Sequence, residues 1–392
     1  MKLGVVGGKL QGTEAVYLAA KAGHATLLVD RRPAPPAAGL ADAHVVLDVT
    51  ADEERARAVL GSCDAVLPAC EDLATLAWLA EHVPRWGVSL LFDLDAYTLT
   101  SSKIASNQLF ALLGVPRPRP WPGCDFPVIV KPSAASGSEG VTLARDEEEL
   151  VAAQQALASS GSGVVVEEFV PGPSLSLEVL CRDGVATPLQ VTGLEFDEDY
   201  DCKRVVAPAD EAWQAAATPQ VLSAFDAVAA RLAHGLDLQG LMDVEVMIGH
   251  GQPKVLEIDA RLPSQTPTVV YWSSGLNVVD LLVRTAQEGR VPAVDRAPVR
   301  ACVYQHVAAR DGELRVAGEH VMAEARPLTL VPGFFGVHEA LTDYEPGRAS
   351  WAATLIALGA TVAEARCAAD AAVGTLAEEE GLKIRPEAEA RP

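Results

Sequence analysis

Basic residues, aromatic residues and long hydrophobic runs are all scarce in this sequence. Lys and Arg total 31 against 53 Asp and Glu, a formal net charge of -22, and aromatic residues make up 5% of the chain. A surface of this charge repels nucleic-acid phosphates and anionic lipids, so neither is an expected partner. No stretch reaches the roughly 18 apolar residues of a membrane span, and the first residues lack the apolar core of a signal peptide. These absences predict a soluble, cytoplasmic protein.

Cysteine and histidine also lack the spacing of a disulfide framework or a metal site. Seven cysteines are scattered along 392 residues, and their odd number without a C-x-x-C pair indicates reduced thiols. The histidines, His306 among them, have no partner pattern and are predicted to lie in the core or on the surface. Hydrophobic residues make up 49% of the chain, which suffices for two or three domains with a cleft between them.

The first 95 residues alternate short apolar runs with helix-forming stretches. This alternation predicts a doubly wound α/β sheet of parallel strands. A glycine turn, Gly7-Gly8, follows the first strand, and Asp30 ends the second. Such a turn with an acidic residue also favours a dinucleotide site, so a nicotinamide-dependent oxidoreductase is one alternative. The turn lacks the G-x-G-x-x-G spacing of that site, which argues against it.

Two stretches in which acidic and apolar residues alternate, 240–247 and 254–261, flank a turn at Gly251. They predict an antiparallel hairpin with two pairs of opposed carboxylates: Asp243 with Asp259, and Glu245 with Glu257. Because side chains alternate along a strand, all four carboxylates share one face. The other face is predicted to enter a core through Val244, Val246, Leu256 and Ile258.

Four carboxylates on one sheet face repel each other unless a cation lies among them. Mg²⁺ prefers such oxygen ligands and usually adds the phosphate oxygens of a substrate. The acidic face of the hairpin is therefore a candidate magnesium site. The alternative is an acidic hairpin that faces solvent and binds nothing.

Two lysines and a strand end form a candidate site for phosphates and adenine. Lys131 ends a strand and precedes the small residues 132–140, whose N–H groups and hydroxyls could close over phosphate oxygens. This loop is not the G-x-x-x-x-G-K-[ST] pattern, so a P-loop fold is disfavoured. Lys103 begins a helix upstream, where the alternative is an ordinary surface lysine. The apolar strand 164–168 runs into Phe169 and a Pro-Gly hinge, and it can offer backbone groups to an adenine edge.

Taken in order, these motifs resemble the ATP-grasp superfamily of carboxylate–amine ligases. The order is Lys103, Lys131 with its loop, Glu167-Glu168-Phe169-Val170-x-Gly172, Asp243 and Glu257-x-Asp259-x-Arg261. The resemblance covers roughly residues 1–300 and implies an α/β ATP-grasp fold with an N-terminal doubly wound, Rossmann-like pre-ATP-grasp domain. The implied domains are 1–95, the N-terminal domain; 96–172 and 173–300, the two ATP-grasp subdomains; and 301–392, a C-terminal region that completes the cleft.

The resemblance implies a role for each motif residue. ATP would be bound by Lys103, Lys131, Ser138, Glu167, Glu168, Phe169 and Val170. Mg²⁺ would be held by Asp243, Glu257 and Asp259, although the superfamily commonly has Asn at the last of these positions. Lys131 and Arg261 would be catalytic, with Arg261 stabilising an anionic acyl phosphate.

The opening of the chain, residues 5–15, resembles that of superfamily members that join 3-methylornithine to the ε-amine of lysine in pyrrolysine biosynthesis. By this resemblance the ornithine-type acid would be bound by Ser176, Leu177 and Glu178. Lysine would be bound by Leu10, Gln11 and Glu71. Arg261 and Ser264 belong to a segment that would close over the reacting carboxylate. A second nucleotide over Lys9 and Asp30 is a further expectation.

The implied reaction is the ATP-dependent formation of an amide. ATP and Mg²⁺ convert a carboxylate to an acyl phosphate, which an amine attacks, so the protein mainly positions groups and neutralises charge. Amino acids are the expected partners, and the chain could assemble as a homodimer. Three different functions stay open at this point. The first is another ATP-grasp ligase, which acts on different amino acids or in the purine pathway. The second is a nicotinamide-dependent oxidoreductase, and the third is a non-catalytic nucleotide-binding regulator.

Overall fold

The computed structural model describes residues 1–158, 161 and 163–387. Three β-sheets organise these residues: one of five strands, one of three and one of eleven. Each sheet is formed by a separate part of the chain, and the predicted mixed α/β architecture is confirmed. Among the described residues, none of the helices combines the length and the hydrophobicity that crossing a membrane requires. The domain limits given above remain a prediction.

The five-stranded sheet is parallel and doubly wound, as the sequence predicts. Its strands are β1 (Lys2–Val6), β2 (Ala25–Asp30), β3 (Ala43–Val46), β4 (Ala65–Pro68) and β5 (Ser89–Leu90), in the order β3-β2-β1-β4-β5. The helices of this part are α1 (Leu10–Lys21), α2 (Glu53–Leu60), α3 (Leu73–His82) and α4 (Leu94–Thr100). The direction of winding reverses between β1 and β4, and such sheets bind ligands beyond the strand ends at this point.

The three-stranded sheet is antiparallel, in the order β7-β6-β8. Its strands are β6 (Val128–Pro132), β7 (Thr142–Ala144) and β8 (Val164–Glu168), with helices α5 (Lys103–Leu113) and α6 (Glu147–Leu157). Helix α5 begins at a capping side chain, because the hydroxyl of Ser102 accepts a hydrogen bond from the N–H of Ala105. The cap fixes Lys103 in the first turn, and its own N–H donates to the carbonyl of Ser133 in the loop after β6.

The eleven-stranded sheet contains the remaining strands. These are β9 (Ser174–Arg182), β10 (Val185–Phe196), β11 (Cys202–Ala207), β12 (Gly240–Gly249), β13 (Gln252–Asp259), β14 (Ala301–Arg310), β15 (Glu313–Val316), β16 (Thr329–Pro332), β17 (Glu339–Thr342), β18 (Trp351–Gly359) and β19 (Lys383–Ile384). The main order is β13-β12-β9-β10-β11-β14-β18-β17-β16, with β15 paired to β14 and β19 to β15. Because β14 pairs with β11, the chain after residue 300 continues this sheet.

Six helices accompany the eleven-stranded sheet. They are α7 (Ala209–Ala212), α8 (Pro219–Gly235), α9 (Thr266–Ser274), α10 (Val278–Glu288), α11 (His320–Ala323) and α12 (Val362–Glu380). Helix α8 covers the apolar face of β9 and β12, where Phe225 packs in one core cluster with Leu177 and Val244. Strand alternation then leaves the acidic face of the same strands on the other side of the sheet.

The predicted acidic hairpin is β12–β13. Its register is confirmed for both carboxylate pairs, Asp243 with Asp259 and Glu245 with Glu257. The two-residue turn at His250 and Gly251 has positive φ at both residues, a conformation that suits a tight hairpin turn. The four carboxylates therefore share one sheet face, as the alternation predicts.

The prediction that Leu256 enters the core is wrong. A β-bulge after Glu245 places Val246 opposite Val255, so Val255 points into the core instead. Leu256 lies beside the cavity that contains the candidate site. The remaining residues predicted for this core, Val244, Val246 and Ile258, are buried.

Candidate active site

A cavity of about 660 Å³ lies between the three-stranded sheet and the acidic face of the eleven-stranded sheet. Every residue predicted to bind ATP lines it: Lys103, Lys131, Ser138, Glu167, Glu168, Phe169 and Val170. The acidic hairpin contributes Glu245 and Glu257 to the same wall. Residues from three separate sequence segments thus meet in one place, as the order of motifs predicts.

Both predicted phosphate lysines are buried and paired with carboxylates. The Nζ of Lys103 lies 2.5 Å from Oε1 of Glu257 and donates to the carbonyl of Ala135 at 2.6 Å. The Nζ of Lys131 lies 2.6 Å from Oε1 of Glu167. Burial alone would lower the pKa of Lys103, but the charge of Glu257 raises it above its ordinary value. Lys103 is therefore held in its charged form, as a phosphate ligand requires.

The opposite end of the cavity has an apolar wall and a strongly acidic carboxyl. Phe169 and Val170 line this end beside Glu168. Glu168 lies 2.8 Å from Nζ of Lys254 and accepts a hydrogen bond from the N–H of Arg119 at 3.1 Å. Burial opposes ionisation, but these hydrogen bonds prevail and lower the pKa of Glu168 to about 2. This end offers a flat apolar surface with backbone groups, which suits an adenine ring.

Lys203 is a cavity residue that the sequence motifs missed. It lines the cavity from β11, and its Nζ lies 2.7 Å from Glu387 near the end of the described chain. The neighbouring Arg204 lies 2.8 Å from the same carboxylate. The sequence motifs do not predict strands β10 and β11, and Lys203 has no spacing relation to those motifs, so no signal in a single sequence marks it.

The acidic face extends from the hairpin onto β9. In the strand register, Glu178 lies opposite Asp243 and Ser176 opposite Glu245. Burial and neighbouring acids raise the pKa of Asp243 well above its ordinary range and that of Glu245 to about 8. The same causes raise the pKa of Asp259 to about 7. In the protein alone, burial therefore favours the neutral forms of these carboxyl groups, and a cation bound among them would stabilise their charged forms.

The donor atoms of this face suit a hard divalent cation. Within the described ranges, no three or more His, Cys, Asp and Glu side chains already form a metal site. Glu257 is instead paired with Lys103, and Asp259 lies 2.9 Å from Nη2 of Arg261. One oxygen of Asp243, Oδ1, is buried without a hydrogen-bond partner in this part of the chain. The predicted ligands Asp243, Glu257 and Asp259 therefore fit Mg²⁺ only together with oxygens of a bound phosphate.

Several buried side chains beside the acidic face lack hydrogen-bond partners among the described residues. This group, called the polar chamber below, consists of Ser176, Glu178, Asp243, Thr266 and Thr268. Burial raises the pKa of Glu178 to about 7. Thr266 lies beside Glu178 and favours its charged form, but its hydroxyl does not reach hydrogen-bond geometry. Buried polar side chains normally have hydrogen-bond partners, so five neighbouring side chains with unpaired atoms indicate a binding site for a polar ligand.

Leu177, predicted to bind substrate with its two neighbours, lies on the other face of β9. Its side chain is fully buried in the core cluster under α8. The side chains of Ser176 and Glu178 therefore belong to the polar chamber, whereas that of Leu177 does not. Only the backbone of Leu177 is left to take part in the predicted contact.

Glu71 links the N-terminal sheet to the rest of the site. Its carboxylate lies 2.9 Å from Nη2 of Arg261 and accepts hydrogen bonds from Nε2 of Gln11 at 2.8 Å and from the hydroxyl of Ser136 at 2.6 Å. A second cavity of about 560 Å³ beyond the ends of β1 and β4 is lined by Leu10, Gln11 and Glu71. Of the residues predicted to bind lysine, Glu71 thus contacts the predicted catalytic arginine directly, and Gln11 contacts Glu71.

Asp30 and Lys9 also line this second cavity. The carboxylate of Asp30 accepts a hydrogen bond from the N–H of Gly8 at 2.7 Å and is bonded through both oxygens by Arg32. Burial raises its pKa, but the bonds from Arg32 prevail and lower it. Lys9 is half exposed and lies 3.8 Å from Glu324. A ribose hydroxyl bound at Asp30, as in a nicotinamide site, would therefore have to compete with Arg32.

A small cavity of about 90 Å³ lies where the acidic face, Arg261 and the predicted closing segment meet. Ser264 lines it, and its hydroxyl donates a hydrogen bond of 2.8 Å to Glu319. Glu319 is 9% exposed and also lines the cavity. No sequence motif contains Glu319, because it lies in the region after residue 300, beyond the resemblance.

Comparison with known proteins finds a matching domain family and similar enzymes. The ATP-grasp domain profile matches residues 100–265. The 3-methyl-D-ornithine–L-lysine ligase of Methanosarcina mazei is 36% identical over 322 residues, 81% of this chain and 81% of that protein. The enzyme of the same name from Methanosarcina acetivorans is 37% identical over 321 residues, 81% of this chain and 83% of that protein.

A solved structure extends the likeness to the whole fold. The N5-carboxyaminoimidazole synthetase of Staphylococcus aureus complexed with ADP matches with a TM-score of 0.69 at 16% identity, over 95% of this chain and 96% of that chain. At this identity the match concerns the fold alone.

Proposed function

Because this chain belongs to the family of 3-methyl-D-ornithine–L-lysine ligases within the ATP-grasp enzymes, we propose that it joins the carboxylate of 3-methyl-D-ornithine to the ε-amine of L-lysine. ATP is split to ADP and phosphate, and an amide is formed. The relatives support the activity, and the geometry of the site supports a role for each group of residues.

The large cavity is the proposed ATP site. Phe169 and Val170 would cover the adenine, and Lys103, Lys131 and Lys203 would neutralise the phosphates. Mg²⁺, held by the acidic face through Asp243, Glu257 and Asp259, would neutralise further phosphate charge when bound. The lysines are already held in place by their carboxylate partners, so ATP meets oriented cations. Preorganised charge of this kind is the main contribution a protein makes to phosphoryl transfer.

The polar chamber is the proposed site of the ornithine-type acid, and this is the observation that carries the substrate assignment. A diamino acid brings ammonium groups that can donate hydrogen bonds to Glu178 and the neighbouring hydroxyls. In the described part of the protein alone, these side chains have no hydrogen-bond partner. Its carboxylate would lie toward Arg261 and the acidic face, where the γ-phosphate of ATP arrives. A monoamino acid or bicarbonate would leave part of the chamber unpaired, which disfavours a purine-pathway reaction.

The second cavity is the proposed lysine site. Glu71 and Gln11 would hold the amino-acid end, so the long side chain extends toward Arg261 and the acyl phosphate. With the predicted boundaries at residues 95, 172 and 300, lysine would be bound mainly by the first domain and the ornithine-type acid by the third, whereas the second and third would share the ATP site. A second nucleotide over Lys9 and Asp30 would have to displace Arg32 from Asp30.

The activity is tested with purified protein, ATP, Mg²⁺, 3-methyl-D-ornithine and L-lysine. Mass spectrometry should detect the amide, and ADP should form in equal amount. Replacing 3-methyl-D-ornithine by L-ornithine, or omitting either amino acid, provides the controls. ADP that forms with bicarbonate but not with the diamino acid would contradict the proposed substrate and favour a purine-pathway ligase.

A further inference from the structure

Glu319 lies at the junction of two cavities. The small cavity that Glu319 lines also contains Arg261 and the acidic face, where the acyl phosphate would form. Ser136 lines both this cavity and the proposed lysine cavity, and His320, the residue after Glu319, also lines the lysine cavity. A lysine side chain that reaches from Glu71 to the acyl carbon therefore brings its ε-nitrogen close to Glu319.

A chain of hydrogen bonds fixes the orientation of this carboxylate. Its Oε2 accepts from the hydroxyl of Ser264 at 2.8 Å and from Nε2 of Gln265 at 2.7 Å. The side-chain oxygen of Gln265, Oε1, lies 3.1 Å from Nε2 of His306. The other ring nitrogen of His306, Nδ1, lies 2.9 Å from the hydroxyl of Thr354. Burial lowers the pKa of His306 to about 3, so the ring is neutral. We assign its proton to Nε2, which donates to Gln265 while Nδ1 accepts from Thr354.

The second oxygen of Glu319 is left for a ligand. No described residue donates a hydrogen bond to Oε1, because both donors reach Oε2. This oxygen lies toward the phosphate loop, where a Cβ placed on Gly137 would be 3.4 Å away. The carboxylate thus presents one free oxygen between the phosphate loop and the acyl site.

The reaction needs a proton acceptor at this place. Lysine arrives with a protonated ε-amine, which has no lone pair with which to attack. We propose, resting on the function proposed above, that Glu319 is the general base that accepts this proton. The freed amine then forms the C–N bond, and the C–O bond to phosphate breaks. The second N–H proton leaves with the phosphate as hydrogen phosphate, and the proton on Glu319 passes to solvent, so atoms and charges balance.

The surroundings of Glu319 make it a stronger base than an ordinary carboxylate. Burial raises its pKa, and the nearby carboxylate of Asp201 acts in the same direction, while its hydrogen bonds and His320 oppose the rise. Glu245 faces it from the acidic face, and the buried Cys202 and Tyr304 lie close enough to interact with its charge. A carboxylate with a raised pKa binds a proton more strongly than an ordinary one, as a general base requires.

Hydroxylamine separates this role from a structural one, because it is largely unprotonated at neutral pH and needs no base. With ATP and 3-methyl-D-ornithine it traps the acyl phosphate as a hydroxamate. Glu319→Gln should lose about 100-fold or more in amide formation with lysine and keep hydroxamate formation within a few-fold. The lysine reaction of this variant should also recover as the pH rises. Glu313→Gln, an exposed carboxylate on β15, is the matched control and should keep both activities.

Two outcomes would overturn the proposal. An equal loss of amide and hydroxamate in Glu319→Gln would make Glu319 a positioning residue for Ser264, and an unchanged lysine rate would remove it from the reaction. Glu319→Asp keeps a carboxylate and should regain part of the lysine rate. If the unaltered protein makes no hydroxamate, the proposed function itself fails, and that result is seen before any variant is compared.

Discussion

The ATP cavity and the polar chamber lie on one sheet face but differ in how their polar groups are satisfied. In the ATP cavity each lysine that would face a phosphate already has a carboxylate partner: Lys103 with Glu257, Lys131 with Glu167, and Lys203 with Glu387. In the polar chamber the oxygens of Ser176, Glu178 and Thr266 have no partner among the described residues. One region is complete without its ligand, and the other is not.

This difference indicates two modes of binding. ATP must exchange partners with the protein, because a phosphate takes a lysine from its carboxylate and leaves that carboxylate free for Mg²⁺. The diamino acid instead adds donors that are missing, and an unpaired buried polar group costs about 1–3 kcal/mol. We therefore expect changes in the ATP cavity to damage the folded protein or its chemistry, and changes in the chamber to act mainly on substrate binding.

The largest effect is expected for Glu257→Gln in the ATP cavity. The change removes a predicted magnesium ligand and the partner of Lys103, so ADP formation should fall by about 1,000-fold, in line with the loss of a preorganised electrostatic group. Circular dichroism should show an intact fold. Turnover within a few-fold of the unaltered protein would show that the acidic face holds no catalytic metal.

Glu178→Gln tests the chamber in the same assay. The loss of a charged acceptor should raise the KM for 3-methyl-D-ornithine by about 10- to 100-fold, because hydrogen bonds to charged groups contribute roughly 1.5–3 kcal/mol. The ligand-free variant should unfold at the same temperature or higher, because a buried carboxylate has been replaced by a neutral amide. A lower melting temperature without a change in KM would make Glu178 a structural residue.

Lys131→Ala tests whether Lys131 both binds phosphate and stabilises the protein through its ion pair with Glu167. The KM for ATP should rise about 10-fold or more, and the protein should lose stability because Glu167 is 3% exposed and left without its cation. The double variant with Glu167→Gln should recover the melting temperature but not the affinity for ATP. If stability and ATP affinity recover together, the lysine supports the fold and does not bind phosphate.

Glu14 provides a pH test at the edge of the chamber. Its Oε1 accepts a hydrogen bond of 2.6 Å from the N–H of Thr268, and burial raises its pKa from 4.5 to about 8. The folded state therefore holds this proton more tightly than the unfolded state, and the contribution of Glu14 to stability falls as the pH rises from about 4.5 to about 8, by at most about 5 kcal/mol. Glu14→Gln should reduce the loss of stability between pH 5 and pH 8, measured by urea unfolding. An equal fall in both proteins would contradict the assignment.

The smallest effect is expected for Glu387→Gln. Glu387 competes with phosphate for Lys203, but it is partly exposed, and such ion pairs contribute only about 0.2–1 kcal/mol. The KM for ATP should fall by up to about five-fold, with no change in the KM for either amino acid. A rise in the KM for ATP would show that Glu387 positions Lys203 instead of competing for it.

Much of the fold follows from local patterns in the sequence. Alternating apolar and acidic residues around a turn centred on Gly251 predict that Asp243 pairs with Asp259, because this register places the acidic side chains on one face. In the structure the same pairing results from a two-residue turn together with the bulge after Glu245. The bulge at Glu245 carries no such signal, since it depends on packing beneath the hairpin, and the prediction for Leu256 is wrong for that reason. Strands β10 and β11 also escape prediction, because their residues mix polar and apolar positions.

The residues of the candidate site also fall into those that the sequence predicts and those that it does not. Lys103 and Lys131 are recognisable because they begin or end predicted elements next to distinctive loops. Lys203 and Glu319 reach the site only through long-range pairing of β11 and through the chain after residue 300. A single sequence does not show which distant residues a sheet brings together. The direct pairing of each lysine with a carboxylate is likewise beyond the sequence, because it is a property of the folded cavity.

The central claim, activation of a diamino-acid carboxylate by ATP, is tested most directly with an isotope label. 3-Methyl-D-ornithine labelled with ¹⁸O in its carboxylate is incubated with the protein, ATP, Mg²⁺ and L-lysine, and the released phosphate is analysed by mass spectrometry. An acyl phosphate transfers one carboxylate oxygen to phosphate, so each phosphate should carry one ¹⁸O and each amide should retain one. Phosphate without the label, formed alongside ADP, would contradict the account.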